Sequence, residues 1–248
     1  MKICIATPMY GGNSKNVYVS CLNQLVITLT SRGHSVMHTS IGNESLITRA
    51  RNTLAHLFLK GDADALLFID SDHGFVVEDI VKMVESSKDV IGAIYPMKSI
   101  NWENVRLAAL AGKENLELYS GNFAINFLSD TQTFKGDEPF KVRDIGTGML
   151  FISRKAFKEL KSVCKIYKNN SPNPDIEMGE EIVEYFPTMI TDAPESILLS
   201  EDYAFCHLWR SLGNDVYAAP WVRITHSGEY NFSGNFLKTL EIQNQITE

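Results

Sequence analysis

Apolar and polar positions alternate along this chain in two periods, and the switch between them predicts its elements. Lys2 to Thr7 is a short apolar run closed by Pro8, which predicts a buried strand. Met9-Tyr10-Gly11-Gly12-Asn13-Ser14 follows as a loop. Asn16 to Ser31 carries Val17, Leu22, Leu25, Val26 and Leu29 at helical spacing, and Arg32-Gly33-His34 stops it. Ser35 to Ser40 predicts a second strand. Ser45 to Leu59 predicts a second helix, with Ile47, Ala50, Leu54 and Leu57 on one face. Leu66 to Ile69 and Val90 to Tyr95 are continuous apolar strands, separated by a helix over Val76 to Ser87 whose first turn is acidic.

Strands alternating with helices imply parallel pairing, so the expectation is an α/β domain with an open, twisted, mostly parallel sheet flanked by helices. Beyond Met97 the pattern loosens. Leu107 to Phe134 reads as short mixed segments, and Val142 to Ile152 as a strand broken by Gly146-Thr147-Gly148. Arg154 to Leu160 and Glu201 to Ser211 read as helices. Lys168 to Pro194 is polar, acidic and proline-containing, and reads as a long surface loop. Asp215 to Pro220 predicts a strand, and Trp221 to His226 a terminal extended piece. One continuous domain is expected: 1–97 as a nucleotide-binding half, 98–226 as a catalytic half, and 227–248 as a tail.

Composition narrows the chemistry. An apolar share of 44% over 248 residues supports a real core, and a net charge of −7 argues against a nucleic-acid partner. The cysteines Cys4, Cys21, Cys164 and Cys206 are scattered, which predicts reduced thiols rather than a zinc site. No secretory leader and no apolar run of spanning length is read, so the expectation is a soluble, cytoplasmic protein with peripheral membrane contact left open.

Candidate chemistry gathers at predicted element ends, where doubly wound sheets bind their ligands. The sharpest case is Leu66-Leu67-Phe68-Ile69-Asp70-Ser71-Asp72, an apolar strand delivering two carboxylates one residue apart. Their mutual repulsion invites a divalent cation; a helix start is the plainer use of such acids. The other islands are Thr7-Pro8, Arg49-Ala50-Arg51-Asn52, Ser200-Glu201-Asp202 and Thr225-His226-Ser227-Gly228.

The order of these islands resembles the GT-A-fold glycosyltransferases, particularly family-2-like enzymes with an Asp-x-Asp motif. The resemblance runs from Lys2 to about His226. It implies a GT-A (nucleotide-diphospho-sugar transferase) fold, and a hexosyltransferase-type enzyme that binds a nucleotide sugar. It also implies Mn²⁺ or Mg²⁺ and a carbohydrate, lipid or protein acceptor. Metal ligands would be Asp72, Asp70 and His226, with Asp72 the surer. The donor would meet Thr7, Pro8, Tyr10, Arg49, Arg51, Asn52, Asp70, Ser71 and Asp72. Arg51 is favoured over Arg49, because their spacing puts the two on different faces of one helix. Asp202 would be the base of an inverting transfer. Asp144, Gly146, Thr147, Gly148 and Glu201 would lie near sugar or acceptor. His73 is read as solvent-exposed. A retaining transferase, a nucleotidyltransferase and a catalytically silent nucleotide- or carbohydrate-binding module stay open; Gly11-Gly12 lacks the lysine of a phosphate loop.

Overall fold

A computed structural model describes residues 1–230. In chain order the elements are β1 (Lys2–Met9), α1 (Asn16–Ser31), β2 (Ser35–Gly42), α2 (Ile47–Lys60), β3 (Ala65–Ile69), β4 (His73–Phe75), α3 (Val77–Val84) and β5 (Val90–Ala93). There follow α4 (Trp102–Leu110), β6 (Ile125–Asn126), β7 (Phe140–Val142), β8 (Asp144–Ile145), β9 (Met149–Ser153), α5 (Arg154–Leu160), β10 (Ile166–Lys168) and β11 (Glu181–Val183). The last are β12 (Met189–Ile190), β13 (Leu198–Leu199), α6 (Glu201–Ser211), β14 (Val216–Ala219) and β15 (Ile224–His226). The expected tail, 227–248, lies outside the described residues from 231 onward.

Seven strands form the central sheet in the order β2-β1-β3-β9-β5-β14-β7. β2, β1, β3, β5 and β14 run one way; β9 and β7 run against them. This is the open, mostly parallel sheet that the resemblance implies, with one refinement. β9, from the second half of the sequence, sits between β3 and β5 from the first, so the two halves share one sheet. Strand period explains the layering. On β3, Leu66 and Phe68 point into a core with α2, α5 and α6, while Ala65, Leu67 and Ile69 point into a core with α1 and α3. A strand covered on both faces reads as a continuous apolar run, as this one does.

Two segments depart from expectation. Trp102 to Leu110 is a helix rather than part of a mixed stretch, its start capped by the Asn101 side chain accepting from the Asn104 N–H. It buries only Ala108, so its apolar residues carry no one-faced period to read. Lys168 to Pro194 is not a plain loop. β10 pairs with β11, β12 pairs with β13, and Ile176, Ile182, Tyr185 and Phe186 are buried. Phe186 stacks on Phe205 at 4.8 Å and meets Phe68 edge-on at 5.4 Å. Acidic residues and prolines dilute these apolar positions in the sequence, while tertiary packing gathers them.

Arg154 closes the end of α2. Its guanidinium donates to the carbonyls of Phe58 at 2.9 Å, Gly61 at 3.0 Å, Leu59 at 3.3 Å and Ala63, carbonyls left over where a helix runs out of partners. Arg154→Met should cost about 2 kcal/mol of stability, the range for hydrogen bonds to a charged group, with the urea midpoint falling and the m-value unchanged. An unchanged midpoint would show that water replaces the guanidinium at no cost.

Candidate metal and nucleotide site

The C-terminal end of β3 is pinned by backbone before any side chain acts. The Asp70 N–H donates to the Gly148 carbonyl at 2.8 Å, and the Lys15 N–H, at the start of α1, donates to the Ser71 carbonyl at 2.9 Å. The Ser227 N–H donates to the Asp72 carbonyl at 2.9 Å. Three distant parts of the chain therefore hold the Asp70-Ser71-Asp72 turn.

The two carboxylates then face different partners. Asp70 turns inward to Arg51, whose Nη2 lies 3.3 Å from Oδ1 and 3.4 Å from Oδ2. Arg51 is 4% exposed, and its Nε also donates to Glu201 at 3.3 Å. One buried guanidinium thus ties β3 to the start of α6. Asp70, expected as a metal ligand, and Arg51, expected at the donor, thus meet in an internal ion pair. Arg49 pairs with Glu44, Nε at 2.5 Å and Nη2 at 2.8 Å. Asn52 is buried, with its side-chain oxygen accepting from the Phe186 N–H at 2.9 Å. The Thr7 hydroxyl is enclosed between the Tyr18 hydroxyl at 2.5 Å and His38 Nε2 at 3.2 Å, so its side chain faces the interior rather than a ligand.

Asp72 points the other way. Its Oδ2 takes the Lys98 ammonium at 2.5 Å and lies 3.5 Å from His226 Nε2, while Oδ1 is buried without a partner. Burial alone would push this carboxyl up; His226 and Lys98 outweigh it and hold it well below the usual carboxylate range. β15 pairs antiparallel with β4 in a register that sets His226 opposite His73. Trp221 and Arg223 anchor the approach to β15: the Trp221 indole donates to the Asp79 carbonyl, and Arg223 grips the Asp79 carboxylate at 2.8 and 3.0 Å.

His73 corrects the expectation of exposure: it is fully buried. Its Nδ1 lies 2.9 Å from the Gly148 carbonyl, which only accepts, so the imidazole donates there and leaves Nε2 as a lone pair with no partner. His226 repeats the device, its Nδ1 donating to the Pro96 carbonyl at 2.8 Å. Burial lowers the His73 pKa and keeps the ring neutral. One ligand atom each from Asp72, His73 and His226 converges within 4.8 Å, the one such group among the described residues. Imidazoles fixed through Nδ1 to backbone carbonyls, with Nε2 unpartnered in His73 and facing Asp72 in His226, have the outer-shell arrangement of metal-binding histidines. The three donors therefore fit a divalent cation. His73 was legible in part: His73-Gly74-Phe75 and Ile224-Thr225-His226 are short segments of matched length, but nothing in the sequence announces that they pair.

Gly146-Thr147-Gly148 forms the floor. A Cβ on Gly148 would lie 2.5 Å from His73 Cε1, and one on Gly146 would overlap the Tyr95 hydroxyl. Tyr95 accepts from the Gly148 N–H at 3.1 Å, and burial, with Asp70 and Asp202 adding to it, pushes its phenol up. The glycines are needed for packing here. Thr147 is buried and its hydroxyl has no partner. Asp144, expected near a sugar hydroxyl, is buried and spends Oδ2 on Asn126 and Arg143, both at 3.0 Å. Glu201 is the partner of Arg51. Asp202 is half-buried in the first turn of α6; Oδ1 accepts from the Tyr203 N–H at 2.8 Å and from the Ser200 hydroxyl.

Pro8, Tyr10, Asp70, Ser71 and Asp72 do come together, lining one open cavity of about 740 Å³ with Asn13, Ser14, Lys15, Glu44, Ser45, Ile47 and Lys98. That volume suits a nucleotide-sized ligand. Lys98 was missed, because a lysine after a proline at a strand end carries no sequence signal. Among the described residues no helix is long and apolar enough to cross a membrane.

No family model and no curated protein matches the chain. Solved structures similar to it include GalNAc-T7 with UDP, GalNAc and Mn²⁺, at 10% identity and TM-score 0.40, over 91% of this chain and 43% of that one. Another is residues 1–349 of S. aureus TarS, at 12% identity and TM-score 0.40, over 88% and 58%. A third is a glycosyltransferase involved in glycosylation of the major capsid of PBCV-1, at 10% and TM-score 0.30, over 63% and 62%. The chain spans less than two thirds of the length of each.

Arg51→Met should destabilise the fold by about 3 kcal/mol, because it strands two carboxylates against an apolar wall. Chemical denaturation checks this; a change under 1 kcal/mol would mean that both acids escape to water.

Proposed function

We propose that this chain is a metal-dependent glycosyltransferase that moves a sugar from a nucleotide-diphosphate donor to an acceptor hydroxyl. One observation carries the reading: ligand atoms of Asp72, His73 and His226 converge beside a cavity of nucleotide size, with Asp72 Oδ1 and His73 Nε2 buried and unpartnered. Those three residues would hold the cation. Two imidazoles with one carboxylate suit Mn²⁺ better than Mg²⁺, which prefers an all-oxygen shell. When bound, the ion neutralises charge on a diphosphate leaving group.

The chain's own residues divide the remaining work. Pro8 and Tyr10 form the cavity wall at the end of β1, where a nucleobase would rest. Asp70, held by Arg51 yet lining the same cavity, accepts from the ribose. Asp202 is the general base. With Oδ1 fixed by Tyr203 and Ser200, its Oδ2 takes the acceptor proton as the acceptor oxygen bonds to the anomeric carbon. The bond from that carbon to the diphosphate breaks on the opposite face, which inverts the centre. The capping contacts of Asp202 also favour a second reading, retaining transfer, in which Asp202 serves only the helix start; the anomer formed first, read by NMR, separates the two.

A thermal-shift screen of nucleoside diphosphates and nucleotide sugars, with and without Mn²⁺, tests the donor. At a hundredfold excess over the dissociation constant a true ligand adds about 2.7 kcal/mol, which is ~5–10 °C for a domain of this size. Asp72→Asn should erase the metal-dependent part of the shift, and persistence of that part would discard the assignment.

Asp202→Asn should leave the nucleotide shift intact while slowing transfer by about a hundredfold or more, the usual worth of a positioned base. Full transfer by that variant would remove Asp202 from the chemistry and leave it as a cap.

A further inference from the structure

Of the side chains lining the cavity, two are cations, Lys15 and Lys98, and only Lys98 pairs with the ligand cluster. Its ammonium sits 2.5 Å from Asp72 Oδ2, on the same carboxylate oxygen that faces His226. Its backbone is held: the Met97 N–H donates to the Asn122 carbonyl at 2.7 Å and the Ser99 N–H to the Met97 carbonyl at 2.8 Å. Its side chain is not, being 45% exposed. Gly228 gives it room, since a Cβ there would approach the Lys98 methylenes at 3.0 Å. An ammonium and a divalent ion on one carboxylate repel each other, so a cation bound to Asp72 loosens its hold on the lysine.

We propose that Lys98 is an internal counter-ion that exchanges places during loading. It neutralises Asp72 until a divalent cation arrives, is displaced by that cation, and then pairs with the diphosphate of the incoming donor across the same cavity. The inference rests on the metal-centre reading above and adds to it an order of events. Without the metal, Asp72 retains the lysine and the diphosphate lacks that partner. With the metal, the lysine is released toward the phosphates, and a charge-assisted contact forms across the cavity. Metal and nucleoside diphosphate thereby strengthen each other's binding, and by linkage the gain is equal in both directions.

Two measurements on the full chain test this without turnover. The first is calorimetry of Mn²⁺ alone against the wild type, Lys98→Met, Lys15→Met and Asp72→Asn. Lys98→Met should bind Mn²⁺ about three- to tenfold more tightly, because the competing ion pair is gone. Lys15→Met, which removes a cation from the same cavity but not from Asp72, should change the affinity less than twofold. In the presence of Mn²⁺, the nucleoside diphosphate identified by the thermal-shift screen should bind Lys98→Met about tenfold more weakly, and Lys98→Arg should restore most of that loss. The second is acylation of the Lys98 amine by acetic anhydride, read by peptide mass spectrometry. Mn²⁺ alone should raise its rate, and subsequent addition of the diphosphate should lower it.

Equal Mn²⁺ affinity in the wild type and Lys98→Met, or an acylation rate indifferent to Mn²⁺, overturns the exchange. If Asp72→Asn has meanwhile lost Mn²⁺ binding, the metal centre stands and only the role of Lys98 falls. If Asp72→Asn binds Mn²⁺ as the wild type does, the metal reading and the exchange fall together.

Discussion

Two carboxylates one residue apart at the end of a buried strand have to be neutralised separately, and the site is organised around that requirement. A single cation between them would leave neither with a fixed direction. Here Arg51 approaches from inside the fold and takes Asp70, while Asp72 is left at the cavity wall. The inner pair is structural: Arg51 is almost fully buried and reaches Glu201 as well, so removing it would unsettle the start of α6 along with the end of β3. The outer acid is free to serve a ligand because the inner one does not compete with it for a counter-ion.

The same logic extends to the backbone. Gly148 offers its carbonyl to both the Asp70 N–H and the His73 ring, and its N–H to Tyr95. One residue thus sets the direction of the carboxylate turn, the tautomer of a buried histidine and the placement of a phenol. A side chain at that position would collide with the ring it orients. The ladder between β4 and β15 then brings His226 to the same point from the far end of the described chain, held by the clamp of Arg223 on Asp79. Rigidity of this kind keeps ligand atoms in place before a ligand arrives, so less ordering remains to be done on binding.

How much of this could be read beforehand follows from the range of the forces involved. Local patterning revealed α1, α5 and α6 to the residue, because their apolar faces and stop signals are contiguous in sequence. It also marked the Asp-x-Asp turn, since an apolar run ending in two acids is a local event. It failed where long-range packing decides. Phe186 and Tyr185 are core residues in an acidic, proline-bearing stretch, and only Phe68 and Phe205 on other elements make them so. His73 looked exposed because a histidine beside an acid usually is; its burial depends on β15, some 150 residues away. Asn52 and Thr7 have the composition of ligand contacts, but hydrogen bonds to Phe186 and Tyr18 turn them inward. Residue type and position at an element end narrow the candidates, and the third dimension decides which face ligand.

The chain is acidic overall, yet on the proposed function a departing diphosphate needs positive charge. A permanently basic pocket would attract polyanions indiscriminately and hold the product as firmly as the donor. On the proposed exchange the cavity's charge is conditional instead. Lys98 is neutralised by Asp72, Arg51 is enclosed, Arg49 is spent on Glu44, and Lys15 lines the cavity just before α1. Positive potential would then rise once Asp72 acquires a divalent partner and its lysine is released. The cation would then contribute twice, through its own charge and through the one it frees, so affinity for a diphosphate would follow metal loading more steeply than the metal's charge alone accounts for.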